Sequence, residues 1–178
     1  QTGIFPLRPA GRPDDRDGGR RLNSLRIIGG RYRRRILRFP DSEGLRPTPD
    51  RVRETLFNWL GQDLDGERCL DLFAGSGALG FEAASRGAAQ VVMVEQAPKV
   101  LAALRENAKM LHNPPEVEII GGDALQYLSS TKSKFDLIFL DPPFNLFPSL
   151  HLALALLAAL AAWRAHRPSG VAGPLVLM

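Results

Sequence analysis

From residue 68 onward the chain alternates short apolar runs with helix-forming segments, and this alternation leaves it few possible folds. RCLDLFA (68–74), QVVMVE (90–95), VEIIGG (117–122), FDLIFLD (135–141) and PLVLM (174–178) read as strands. Between them, 78-ALGFEAASRG-87 reads as a helix with a glycine stop, and 98-PKVLAALRENAKML-111 as a helix opened by proline. A short helix at 124–130 and an apolar one at 149–163 complete the series. Strands that are apolar throughout, each followed by a helix, belong in a parallel sheet covered on both faces. Right-handed crossovers then make the sheet doubly wound, an α/β architecture.

The segment ahead of this alternation has a different composition. Residues 1–53 hold 14 arginines, no lysine and 6 acids, a balance of +8, whereas residues 54–178 balance at −4. A basic arm on an acidic body suits a nucleic-acid partner. Residues 1–24 are rich in Pro, Gly, Asp and Arg and are expected to form a flexible tail. Next, 25-LRIIGGRYRRRILRF-39 reads as a β-hairpin around Gly29-Gly30, with Arg31, Arg33, Arg34, Arg35 and Arg38 along its second strand and Tyr32 free to stack on a base. In 46-RPTPDRVRETLFNWL-60, Thr48 is the expected N-cap and Pro49 the first helical residue. Val52, Leu56, Trp59 and Leu60 are spaced to face a core, with Arg46, Arg51, Arg53 and Glu54 near the start or on the solvated faces. Three parts follow: the tail 1–24, a hairpin and helix at 25–60, and a main domain at 61–178.

Several classes fall away. The single cysteine, Cys69, excludes an intrachain disulfide and any cysteine cluster, and sits in an apolar strand as a core residue. His112, His151 and His166 are scattered, and no metal-ligand spacing occurs. The N-terminus lacks a signal-type apolar run, and 150–163 is too short for a comfortable membrane span. A reducing cytoplasm and a monomer are the simplest expectation.

Two motifs carry chemistry. In 71-DLFAGSGALG-80, Gly75, Gly77 and Gly80 spell G-x-G-x-x-G between a strand and a helix, and Glu95 ends the next strand. That context points to a nucleoside-containing cofactor, with the acid accepting from a ribose. Asp71 just ahead of the loop is a poor neighbour for a pyrophosphate and a better one for an ammonium and a sulfonium. Coulomb's law gives that sign preference about 1–4 kcal/mol at ~4 Å. S-adenosylmethionine therefore fits better than NAD, and no residue pair suggests hydride transfer. Asp123, followed by Ala124, either accepts from the adenine amine or caps the helix behind it. The second motif ends the strand 135–141 on Asp141-Pro142-Pro143-Phe144. Ligands in open parallel sheets sit beyond the carboxyl ends of the strands, so Asp141 faces the same crevice as the glycine loop. A carboxylate and fixed backbone carbonyls hold an exocyclic amine, and Phe144 offers its ring to an unpaired base.

D-P-P-F together with D-L-F-A-G-S-G-A-L-G resembles the amino-group methyltransferases that use S-adenosylmethionine. With L-R-I-I-G-G-R-Y-R-R-R-I-L and G-L-R-P-T-P-D-R-V-R-E-T-L-F-N-W-L, residues 25–178 are similar to the bacterial 16S rRNA guanine-N2 methyltransferases of the RsmD type. The resemblance implies a Rossmann-like class I methyltransferase sheet with an N-terminal β-hairpin extension, and methyl transfer to the N2 amine of one guanine in 16S rRNA or a small-subunit assembly particle. It implies that Asp141, Pro142, Pro143 and Phe144 hold the amine. It also implies that Asp71, Gly75, Ser76, Gly77 and Glu95 bind the cofactor, and that Arg31, Arg33, Arg34, Arg35, Arg46, Thr48 and Arg51 face RNA. The sequence departs from that family in three places. The hairpin reads Arg33-Arg34-Arg35-Ile36-Leu37 where R-G-R-K-L is usual, the tail is longer, and 174-PLVLM-178 closes the given residues where the family is expected to continue into an antiparallel hairpin. The alternatives are methylation of another nucleic-acid amine, such as adenine N6, and a non-catalytic RNA-binding module.

Overall fold

The computed structural model describes residues 22–42, 45 and 47–141, and the backbone of 175–177. The tail 1–21, Arg46, the D-P-P-F residues Pro142, Pro143 and Phe144, and the expected helix 149–163 lie outside the described residues.

The sheet is the parallel one the alternation requires. Strands β3 (Arg68–Asp71), β4 (Gln90–Glu95), β5 (Val117–Gly121), β6 (Leu137–Phe139) and β7 (Leu175–Leu177) stand in the order β5-β4-β3-β6-β7. All four pairings are parallel. Helices α2 (Ala78–Ser85), α3 (Pro98–Met110) and α4 (Ala124–Ser130) follow β3, β4 and β5. Successive strand residues point to opposite faces, so β4 sends Val91 and Met93 into one core and Val92 and Val94 into the other. β6 and the residue after it divide likewise, Leu137 and Phe139 against Ile138 and Leu140. Cys69 is buried in the first of these cores, and burial, reinforced by Glu67, Asp136 and Asp71, pushes its thiol up to about 12. Strand order reverses between β4 and β6 on either side of β3, which places the ligand crevice at the carboxyl ends of β3 and β6.

The N-terminal hairpin pairs β1 (Leu22–Arg26) with β2 (Ile36–Pro40), Leu25 opposite Leu37. β1 therefore takes up residues 22–24, which composition assigned to the tail. The arginines also stand elsewhere than expected. Arg31, Arg33, Arg34 and Arg35 occupy the connection, and only Arg38 lies in the second strand. Left-handed Gly30 (φ +69°) and Arg34 (φ +70°) bend the chain there, and the Ile27 N–H donates to the Arg35 carbonyl at 2.9 Å to close the loop.

This hairpin does not stand alone. Glu82 of α2 accepts from the Ile28 and Gly29 amides, both at 2.8 Å. The Ser85 hydroxyl donates to the Gly29 carbonyl and accepts from the Tyr32 amide. From α3, the Asn107 amide group pairs with both the N–H and the C=O of Arg38 at 2.9 Å, as a neighbouring strand would. Leu37 and Phe39 are buried in the core shared with Phe81 and Leu104.

Helix α1 (Asp50–Trp59) turns a different face inward from the one its apolar spacing indicates. Val52 and Trp59 are 52% and 80% exposed, while Leu56 and Leu60 are only partly buried. The buried residues are Arg53 and Phe57. Phe57 meets Phe139 at 6.0 Å between ring centroids and lies under the Arg86 guanidinium. Arg53 is fully buried because every side of its guanidinium has an acceptor. Nε donates to the Thr48 carbonyl, Nη1 to the Arg26 carbonyl and to Glu82 Oε2 at 3.4 Å, and Nη2 to Asp50. Glu82, equally buried, is also paired with Arg86 at 2.8 Å.

Removing one member of a buried pair leaves the other charge uncompensated, at a cost of about 3–5 kcal/mol. Glu82→Gln is therefore expected to lower the urea-unfolding free energy by roughly that amount. Hydrogen exchange should show the Ile28 and Gly29 amides losing protection.

Candidate functional site

The site begins at the end of β3. Asp71 is buried, and its Oδ2 accepts from the Gly80 amide at 3.1 Å. Oδ1 is buried with no hydrogen-bond partner among the described residues. Burial raises the Asp71 carboxyl to about 7. The Gly80 and Phe73 amides oppose that rise, and the charges of Asp141 and Glu95 add to it. A carboxylate left one oxygen short of a partner inside a protein calls for a donor, and a cationic one best.

The glycine loop leaves β3 and enters α2. Gly75 (φ +52°) and Gly77 (φ +77°) hold left-handed conformations, and Gly77 caps α2. A Cβ at Gly77 would lie 2.5 Å from the Phe81 ring, and one at Gly80 would lie 2.4 Å from the Met93 sulfur. Close packing thus accounts for these two glycines by itself, Gly77 against helix side chains and Gly80 against β4. Gly75 differs, because its crowding neighbour is only the tip of Leu45. Its amide donates to Glu95 Oε2 at 3.0 Å, which binds the loop to the end of β4. Glu95 Oε1 accepts from the Ala97 amide at 2.7 Å. Ser76 is buried within the loop.

Beyond β4 and β5 a cavity of about 50 Å³ is lined by apolar Leu72 and Val94 and by Glu95, Gln96, Asp123 and Ala124. Asp123 caps α4, its Oδ1 accepting from the Gln126 amide at 2.9 Å. The helix-cap reading therefore holds, and the same residue also borders the cavity.

Asp141 lies two residues past Phe139, the strand partner of Asp71. It is exposed, and its Oδ2 accepts from the Thr48 hydroxyl at 2.6 Å. The structure thus brings Asp141 and Glu95 within electrostatic reach of Asp71, with Asp123 lining the same cavity as Glu95. Thr48 is not the helix cap. That position belongs to Pro49, without a side-chain bond, and α1 starts at Asp50. Arg31 pairs with Glu116 and stacks over Tyr32 at 4.6 Å. Arg33, Arg34, Arg35 and Arg51 are exposed, with no ion pair among the described residues. Sequence reasoning put Arg53 near the helix start or on a solvated face, where the structure buries it, and passed over Glu82 and Asn107. The signal for Glu82 is present: one acid within 78-ALGFEAA-84, an otherwise apolar helix.

Among the described residues no group of acids, histidines and cysteine is placed to hold a metal ion, and no helix is long and apolar enough to cross a membrane.

A parallel sheet in this order, with a glycine loop after its first strand and acids along the crevice, defines a Rossmann-like class I methyltransferase fold. The family described as "Conserved hypothetical protein 95" matches residues 25–164. Ribosomal RNA small subunit methyltransferase D of Escherichia coli is 47% identical over 121 residues, 68% of this chain and 61% of the relative. A putative rRNA methyltransferase of Bacillus subtilis is 38% identical, over 68% of this chain and 67% of its own. Among solved structures, a putative methyltransferase from Escherichia coli superposes with a TM-score of 0.65 at 41% identity, covering 76% of this chain and 72% of that one. A putative methylase from Haemophilus influenzae gives 0.61 at 39%, covering 79% and 74%. The chain belongs to this family, that of the RsmD-like methyltransferases. It spans about six tenths of the length of the Escherichia coli relative.

The titration of Asp71 has a measurable consequence. Its carboxyl sits near 7 when folded, against 3.8 for the free group. The folded state therefore holds the extra proton, and stability falls as pH rises from about 4 through about 7. Asp71→Asn, which keeps an acceptor for the Gly80 amide, should remove that decline. Urea unfolding across this range should show the variant gaining on the wild type by on the order of a few kcal/mol.

Proposed function

We propose that this protein methylates the N2 amine of a guanine in 16S rRNA, naked or within an assembling small subunit in the cytoplasm, with S-adenosylmethionine as donor. The observation that carries the reading is the placement of Asp71, its Oδ1 unpartnered, and Asp141 at the carboxyl ends of adjacent strands. The names of the relatives support RNA as the substrate class.

In this reading Asp71 Oδ1 accepts from the cofactor's ammonium, and the acids around the crevice offset the cationic sulfonium. Glu95 accepts from the ribose hydroxyls with the lone pairs that its two backbone amides leave free. Leu72, Val94, Asp123 and Ala124 receive the base. The cofactor, when bound, supplies an electrophilic methyl group. Asp141 accepts a hydrogen bond from the guanine amine, turns its lone pair toward the crevice and takes up the proton that leaves the nitrogen. Holding the acceptor in line is an orientation effect. Pro142, Pro143 and Phe144 continue the acceptor site, with the Phe144 ring on the base. Arg33, Arg34, Arg35, Arg46 and Arg51 bind phosphates. Arg31, half-exposed beside Glu116, is counted with them.

The reaction is tested with unmodified small-subunit rRNA and a radiolabelled methyl donor, followed by mapping of the labelled nucleotide. Asp141→Ala is expected to reduce transfer at least 100-fold while cofactor binding persists, since Asp141 is assigned to the acceptor amine and Asp71 and Glu95 to the cofactor. Wild-type turnover in that variant would refute the assignment. Label on adenine N6 would favour the other nucleic-acid amine, and label on no RNA would favour the binding module. Replacing Arg33 and Arg35 together by alanine should weaken RNA binding and lower the slope of log K against log salt by roughly 1–2, through the counterions no longer released.

A further inference from the structure

We propose that Thr48 is a positioning residue for the carboxylate that holds the acceptor amine: its hydroxyl fixes Asp141 Oδ2, so that Oδ1 is presented to the substrate. This inference rests on the reading of Asp141 given above and reassigns Thr48, which the family resemblance places against RNA.

Three observations carry it. The first is the bond itself, 2.6 Å from Thr48 Oγ1 to Asp141 Oδ2, across 93 residues of sequence. That length is typical of a hydroxyl donating to an ionised carboxylate. Asp141 is exposed beyond the end of its strand, where a free carboxylate samples several orientations. A single proton donor on one oxygen selects among them.

The second is that Thr48 is built as a fixed mount. Pro47 and Pro49 flank it. Each has its φ locked, and the residue before a proline is excluded from helical geometry. Threonine is also stiff at χ1. Its hydroxyl is spared from capping α1, because the helix begins at Asp50.

The third is what holds the mount. The Thr48 carbonyl accepts from Arg53 Nε at 3.1 Å. Arg53 is paired with Glu82, and Glu82 accepts from the hairpin amides of Ile28 and Gly29. Thr48 also lines a cavity of about 360 Å³ whose other wall includes Ser24, Leu25, Arg26 and Ile36 of the hairpin. The residue therefore stands between the hairpin and the acid, and the contacts that dock the hairpin also set the acid's orientation.

The test compares Thr48→Val, which keeps the shape and loses the hydroxyl, with Thr48→Ser, which keeps the hydroxyl. Methyl transfer to unmodified small-subunit rRNA is measured under single- and multiple-turnover conditions. The side-chain carboxylate ¹³C resonance of Asp141 is read at fixed pH without RNA. Thr48→Val is expected to lower kcat at least tenfold, with KM for RNA and the cofactor Kd within about twofold, and to move the Asp141 resonance. Thr48→Ser should restore both. An unmoved resonance in Thr48→Val, or an unchanged kcat, overturns the inference. So does a raised KM for RNA at constant kcat, which assigns Thr48 to RNA contact. A wild type inert on every RNA overturns the functional reading instead, and is recognised before any variant is compared.

Discussion

The buried pair between Arg53 and Glu82 is the interaction on which the arrangement of the N-terminal segment depends. Both side chains are withdrawn from water. Their attraction alone would not offset that desolvation, since buried pairs are tolerated only where every remaining donor and lone pair is used. Here they are used. Arg53 reaches two backbone carbonyls and Asp50, and Glu82 accepts two backbone amides and Arg86. The result joins the hairpin, the start of α1 and α2 at one point. A two-stranded hairpin is marginal by itself, and this one is made part of the domain by polar contacts as well as by Leu37 and Phe39.

The crevice depends on a second electrostatic constraint. Asp71 is buried, lacks a partner for one oxygen, and feels the charges of Asp141 and Glu95. Such a site is costly when empty of cations and suits a positively charged ligand. That is the physical ground for preferring a sulfonium cofactor to a pyrophosphate one in a fold that accommodates both. The glycines say less than their motif suggests. Gly77 and Gly80 are demanded by Phe81 and Met93, so the loop's spacing reflects packing as much as ligand approach.

The two constraints meet at Thr48. Its carbonyl belongs to the Arg53 network and its hydroxyl to Asp141. One residue thus connects the segment proposed to face RNA with the acid proposed to hold the acceptor.

What the amino-acid sequence determined by itself was local and periodic. Apolar strands alternating with helices dictate a parallel sheet, because only burial on both faces suits such strands. A glycine loop and an acid at the next strand end mark the crevice, because strand order and crossover hand leave them one place to go. The tertiary structure alone decided which face of α1 turns inward. The stripe of Val52 and Trp59 reads as the core face, yet Arg53 is buried, since two of its acceptors, the Arg26 carbonyl and Glu82, come from segments that no local spacing connects. It also decided that Thr48 meets Asp141 rather than capping a helix, and that Arg31 stands beside Glu116. Each of these contacts joins positions far apart in the chain, so their geometry exists only once the sheet has formed and the hairpin has docked.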